Sequence, residues 1–328
     1  MKYITDEFKA LQEETIEGIR LEMIRKYPNF VHDNISAQKR IDKIVNGLKE
    51  YFKANRIRTV VLGMSGGLDS TVTAALCAKA DVNVIGLVMP IEQKPEETLR
   101  GLKTAAQYCS AYAMIDLTAN FKILSEKLSK KTYTTTKHHK WTSRSAQLRN
   151  INLGNIKARL RMITLYDEAR TRDGIVMSTD NYSELLMGFW TLHGDTGDVS
   201  PIQMVFKGFE LSYIAKELGV LEDIINAVPT DGLGISNSDE DQLGASYRFV
   251  DAVMCNHLNY VENRCVLNPK NLDALEIFKQ DGKSSWRTAW DIYQAALNIV
   301  DRHKRTEFKR NNPYMIEHED TLFMLRDK

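Results

Sequence analysis

The chain has 328 residues, 43% of them hydrophobic and 27% charged, and its formal net charge is +1. That balance is ordinary for a globular fold with a sizeable core and gives no broad basic surface for a polyanion. No apolar run approaches the roughly 18 residues of a membrane span, and the start Met1-Lys2-Tyr3-Ile4-Thr5-Asp6-Glu7 is too acidic and polar for a secretory leader.

Apolar residues at helical spacing, Phe8, Leu11, Ile16, Ile19 and Met23 among them, predict a helix over residues 4–26 that Pro28 ends. A second predicted helix runs from about Ser36 to Asn55, with Ile41, Ile44, Val45, Leu48 and Phe52 on one face. Short apolar runs then alternate with helical segments. Predicted strands cover residues 59–62, 83–89, 112–115 and 175–178; predicted helices cover 69–79, 95–109, 117–128 and 152–172. This rhythm predicts an α/β fold with a doubly wound parallel sheet and ligands at the strand C-termini. After Pro201 the pattern is mainly helical, and no internal repeat or low-complexity linker appears. Cys77, Cys109, Cys255 and Cys265 lack paired metal-ligand spacing and read as reduced thiols of a cytoplasmic protein.

The segment Gly63-Met64-Ser65-Gly66-Gly67-Leu68-Asp69-Ser70-Thr71 joins the first strand to a helix start. A strand that turns through glycines into a helix aims free backbone N–H groups and the positive end of the helix dipole at one point, which suits a phosphate. A P-loop would end in Gly-Lys-Ser/Thr and a Rossmann turn would space three glycines; neither pattern is present. An acid in such a turn repels a phosphate unless a cation lies between them, so Asp69 implies Mg²⁺ bridging to phosphate oxygens. Ser65, Ser70 and Thr71 add hydroxyl groups.

A second polar cluster, Ser178-Thr179-Asp180-Asn181-Tyr182-Ser183-Glu184, follows the strand at 175–178. Glu184 lies one turn into the next helix and would share the metal with Asp69 if the two strands are neighbours. The Gly/Asp-rich stretch from Gly188 through Pro201 is a further site-like loop. Two other segments have the composition of mobile loops. The basic stretch Lys127–Arg144 reads either as a solvated loop or as a clamp on an anion. Residues 229–241 read as a lid, after which Ser238 caps a helix opening on Asp239-Glu240-Asp241.

These blocks together resemble the NAD synthetases of the pyrophosphatase-loop ATPase superfamily. The matching blocks are Ser65-Gly-Gly-Leu-Asp-Ser70, Asn155 through Met162, Ser178 through Glu184, Gly194-Asp195 through Pro201-Ile202, and Asp301-Arg-His-Lys-Arg305. The resemblance covers about residues 36–312. It implies an adenine-nucleotide α-hydrolase-like sheet with a helical C-terminal part, a single domain over residues 36–328, and a helical extension over 1–35. The implied reaction is adenylation of the nicotinate carboxylate of deamido-NAD by ATP, with release of pyrophosphate. Ammonia then displaces AMP and leaves the amide of NAD.

By similarity, Gly63, Ser65, Gly66, Gly67, Asp69, Ser70, Thr179, Lys207 and Thr230 would contact ATP, with ATP a co-substrate. Asp69 and Glu184 would hold Mg²⁺, and these two with Lys207 would form the catalytic set. Asp198, His303, Lys304 and Arg159 match positions on the deamido-NAD side. A homodimer is implied, with no nucleic-acid or membrane partner. Leu153 and Leu192 stand where ammonia-dependent members often carry basic residues. The Thr191-Leu192-His193-Gly194-Asp195 stretch looks more like glutamine-dependent members, yet the chain leaves no room for their glutaminase domain, so free ammonia is the expected donor. The alternatives are another ATP-pyrophosphatase amidotransferase, or a nucleotide-binding protein with reduced catalysis. Paired cysteines of an RNA-thiolating enzyme are absent near the loop.

Overall fold

A computed structural model describes residues 6–132, 146–230, 233, 238–261 and 285–313. Val60, Val61 and Leu62 are fully buried, as a strand covered on both faces must be. They belong to β1 (Thr59–Gly63), which pairs in parallel with β2 (Asn83–Val88) on one side and with β4 (Ile175–Val176) on the other. β3 (Ala111–Met114) pairs in parallel with β2, so the order is β3-β2-β1-β4. All four residues of β3 are exposed, in keeping with its edge position. The chain winds outward from β1 and then returns to the other side of β1. That reversal marks the crevice where open α/β sheets bind ligands.

Successive side chains of β1 point to opposite faces. Val60 and Leu62 pack with α2 (Asn34–Ala54), α3 (Leu68–Ala78), α4 (Pro95–Tyr108) and α8 (Ser212–Glu217). Val61 packs with Leu87 and Val176 against α5 (Thr118–Ser129) and α6 (Ala146–Thr171). Each of these buried aliphatic side chains contributes about 1.5–3 kcal/mol. The sheet is therefore covered on both faces, as the βαβ rhythm predicts. An Asp33–Ser36 capping box fixes the start of α2, with Ser36 N donating to Asp33 Oδ1 at 2.7 Å.

A second core holds the C-terminal helices. It joins α1 (Asp6–Lys26), α7 (Tyr182–Met187), α11 (Tyr247–His257) and α12 (Ser285–Arg305) around Ile16, Ile19, Phe209, Phe249 and Ile292. The shorter helices are α9 (Glu222–Ile225), α10 (Asp239–Leu243) and α13 (Glu307–Arg310). Most boundaries fall within a residue or two of expectation, and two differences bear on the site. α6 begins at Ala146, ahead of the expected 152. β4 ends at Val176; Met177 N still donates to Val61 O at 2.8 Å, Met177 also bridges Val199, and Ser178 N donates to Val199 O at 2.7 Å. Cys265 and most of the basic stretch, residues 133–145, lie outside the described residues. So do residues 231–232 and 234–237 of the expected lid, whose ends meet where Asp239 N donates to Pro229 O at 2.9 Å.

Candidate active site

β1 delivers the chain into the glycine turn. Gly66 has φ +83°, a left-handed conformation that L side chains rarely adopt. A methyl group there would lie 2.5 Å from Glu97 O and 2.7 Å from Gly101 N, so the turn rests directly on the backbone of α4. Gly67 caps α3 without a side-chain bond. Instead, the hydroxyls order the turn: Ser65 and Ser70 Oγ atoms are 3.0 Å apart, and Thr71 Oγ1 donates to Gly67 O at 2.8 Å. Asp69 then projects from the first turn of α3.

Because β1 and β4 are neighbours, the start of α7 faces the glycine turn. Asn181 and Glu184 form a capping box: Glu184 N donates to Asn181 Oδ1 at 3.0 Å, and Asn181 N donates to Glu184 Oε2 at 3.2 Å. Asn181 Nδ2 also donates to Asp69 Oδ1 at 2.9 Å, which ties the two carboxylate-bearing helices together. Lys207 opens a π-helical turn, Lys207–Leu211, a geometry frequent at functional sites. Its ammonium donates to Asp69 Oδ2 at 2.8 Å and to Glu184 Oε1 at 3.3 Å. It also lies 4.4 Å from the centre of the Tyr247 ring. Tyr247 Oη donates to Glu184 Oε1 at 3.2 Å.

Burial pushes the Glu184 carboxyl up to about 8, with Asp69, Asp180 and Asp239 adding to the shift and Lys207 opposing it. Burial and the nearby Asp195 and Asp69 push Asp180 up to about 7. Burial works against the Lys207 ammonium, yet Asp69, Tyr247, Glu184 and Asp239 hold its pKa well above the usual lysine range. The site thus concentrates acids beyond what one lysine balances. Such a set fits a divalent cation. No group of three or more described His, Cys, Asp or Glu side chains converges to cage one. Mg²⁺ is ordinarily held by one or two carboxylates plus substrate phosphates, and Asp69 and Glu184 are two carboxylates that meet at Lys207.

Beside this cluster lies a cavity of about 410 Å³, within the roughly 300–1,000 Å³ range of small-molecule sites. Gly63, Ser65, Gly67, Asp69, Ser70, Thr179, Glu184, Lys207 and Thr230 all line it. Gly66 does not line it and rests on the backbone of α4. Leu87, Met89, Met162 and Leu165 give it an apolar end suited to a planar base. Arg161, on α6, also lines it, donating through Nε to Met89 O at 3.1 Å.

The four residues expected on the acceptor side lie outside the lining of this cavity. Arg159 is exposed and donates to Leu192 O at 3.2 Å. Asp198 accepts from Tyr166 Oη at 2.9 Å and from Val176 N at 2.8 Å. His303 Nδ1 lies 2.7 Å from Leu186 O, at the C-terminal end of α7, and Lys304 is exposed. None of the four lines the cavity. Sequence reasoning did not single out Arg161, Asn181 or Tyr247. For Arg161 the signal was its position four residues before Leu165, on the cavity-facing side of α6, whereas Arg159 is two residues away and roughly opposite. For Asn181 it was the Asn-x-x-Glu spacing of a helix cap. Tyr247 left no local signal.

Relatives fit this geometry. The NAD synthase family profile matches residues 40–313. An NH(3)-dependent NAD(+) synthetase from Thermoplasma volcanium is 34% identical over 282 residues, covering 85% of this chain and 97% of its own length. One from Alkaliphilus oremlandii is 33% identical over 226 residues, covering 65% of this chain and 84% of its own. Among solved structures, an NMN synthetase from Francisella tularensis superposes with a TM-score of 0.65 at 23% identity, covering 86% of this chain and 99% of that one. The chain belongs to the NAD synthase family.

Proposed function

We propose that this protein amidates deamido-NAD to NAD, using ATP and ammonia and releasing AMP and pyrophosphate. The observation that carries the reading is the meeting of Asp69 and Glu184 on one ammonium, beside the glycine turn, in a chain of this family. The turn and the start of α3 bind the polyphosphate; Lys207, Thr179 and Thr230 orient it. The apolar end formed by Leu87, Met89, Met162 and Leu165 takes the adenine. Lys207 and the backbone N–H groups face the phosphates, where negative charge builds as pyrophosphate leaves. Asp69 and Glu184 would hold Mg²⁺, which when bound neutralises phosphate charge. No residue needs to form a covalent bond to the substrate; the protein positions two anions and an amine.

Asp198, His303, Lys304 and Arg159 are assigned to the acceptor side by resemblance, in a homodimer whose second subunit completes that side. Support comes from exposed apolar residues on α6 and α2, including Ile163, Tyr166, Ile35 and Tyr51. We assign residues 36–328 to one synthetase domain and residues 1–35 to an added helix whose Ile16 and Ile19 are buried in the C-terminal core. The cytoplasm is the proposed compartment; among the described residues no helix is long and apolar enough to cross a membrane.

The test is an end-point assay with ATP, Mg²⁺, ammonium and deamido-NAD. NAD, AMP and pyrophosphate are expected in equal amounts. Release of ADP and phosphate would overturn the reading. Nicotinate mononucleotide serves as a competing acceptor: if it is amidated in preference, the amidation stands and the dinucleotide assignment falls.

A further inference from the structure

Asp251 is fully buried on α11 and does not line the cavity. Its two carboxylate oxygens reach two separate pieces of the site. One accepts from Ser183 Oγ at 2.5 Å, the other from Gly208 N at 2.8 Å. Ser183 Oγ in turn accepts from Lys207 N at 2.9 Å. Ser183 is the chain neighbour of Glu184, and Gly208 is the chain neighbour of Lys207. The π-helical turn and α11 touch backbone to backbone here: a methyl group on Gly208 would lie 2.5 Å from Arg248 N and from Tyr247 C.

We propose that Asp251 is the positioning residue that holds Glu184 and Lys207 in register, by tying the backbones that carry them to one buried carboxylate. Its recorded partners are hydroxyl and amide donors, and among the described residues no cation pairs with it. Burial pushes its carboxyl up to about 8, against the pull of Ser183 and Gly208. Burying a carboxyl away from any cation costs stability. What it supplies is geometry: three short bonds fix the approach of α7 to the π-helical turn, and a displacement of about 1 Å there is enough to cost catalysis. The proposal rests on the synthetase reading only for its turnover readout.

The experiment is Asp251→Asn in the full chain, read three ways. Above about pH 8, where the Asp251 carboxyl is charged, the thermal midpoint of the unliganded protein should stay level or rise, because the amide has no charge to bury. Affinity for ATP with Mg²⁺, measured by calorimetry, should fall about tenfold or more, and the rate of NAD formation should fall with it. Wild-type affinity and turnover would overturn the proposal. So would a lowered midpoint with unchanged affinity in the folded fraction, the mark of a merely structural role. If Asp251→Asn does not fold, Ser183→Ala decides by the same two affinity outcomes, since it removes the hydroxyl that links Asp251 to Lys207. If the wild-type chain binds ATP with Mg²⁺ but forms no NAD, and the variant loses that binding, the positioning role stands and the acceptor reading falls.

Discussion

The glycine turn and the cluster around α7 face each other across one cavity, yet they are built in opposite ways. The turn is made of backbone. The hydroxyl bonds that order it run between residues at most five apart, as from Ser65 to Ser70, with Arg100 Nε reaching Gly66 O from α4 at 3.3 Å, and its shape depends on having no side chain at Gly66. The facing cluster is made of side chains gathered from far along the chain. Lys207 and Asp69 are 138 residues apart, Ser183 and Asp251 are 68, and Tyr247 and Glu184 are 63. A local device is fixed by conformation; a gathered one is fixed by the packing of the second core and by charges that need one another.

If that contrast is right, one methyl group should disable the turn. Gly66→Ala should lower NAD formation by about 100-fold or more, and it should lower the thermal midpoint, because the added carbon meets the backbone of α4. Ser65→Ala, which alters only a side chain, should cost less than about tenfold. Equal losses in steady-state kinetics would remove the distinction.

The gathered cluster should instead respond to pH. Glu184 and Asp251 are pushed up to about 8 and Asp180 to about 7. In the unfolded chain such groups titrate near about 4. Between those values the folded protein binds more protons than the unfolded one, so stability falls as pH rises. The Lys207 ammonium is charged throughout that window and does not reverse the slope. Thermal midpoints of the unliganded protein should therefore decline from pH 5 to pH 8, and ATP with Mg²⁺ should raise the midpoint more at pH 8 than at pH 5. A midpoint that rises with pH would show that these carboxyls are not held in their protonated form.

The far end of α7 is anchored as well. Arg310 donates to Leu185 O and Leu186 O at 3.3 and 3.0 Å, Arg302 to Met187 O at 3.1 Å, and Lys309 to Gly188 O at 2.7 Å. These cations meet carbonyls that a helix end leaves unpaired. Arg310→Ala should cost about 1–3 kcal/mol, visible as a lower midpoint in denaturation, with a smaller loss of activity than Gly66→Ala. The smallest effect separates two arginines of α6. Arg161→Ala should raise the KM for ATP several-fold, whereas Arg159→Ala should leave it unchanged. A raised KM for ATP in Arg159→Ala would contradict the geometry.

The same contrast explains what was legible in the sequence. The strands, the helices flanking them and the glycine turn announce themselves through short-range patterns: apolar runs, helical spacing, a Gly-Gly pair before Asp69. Glu184 was readable because it follows a strand in a polar cluster. Tyr247 and Asp251 were not, because their roles exist only once α11 packs against the π-helical turn. β4 is shorter than expected because, beyond Met177, whose N–H still donates to Val61 O, the backbone pairs with Val199 through Ser178. Arg159 and Arg161 stand in one motif of α6, but two residues apart they point to opposite sides of the helix, and only Arg161 lines the cavity.

The central claim is that Asp69 and Glu184 act as one site. A double-mutant cycle on Mg²⁺-dependent ATP binding, using Asp69→Asn, Glu184→Gln and the pair together, tests it most directly by calorimetry. The expected result is strong non-additivity, with the double variant binding about as weakly as the worse single one. Losses that simply multiply would show two independent carboxylates and contradict the shared site.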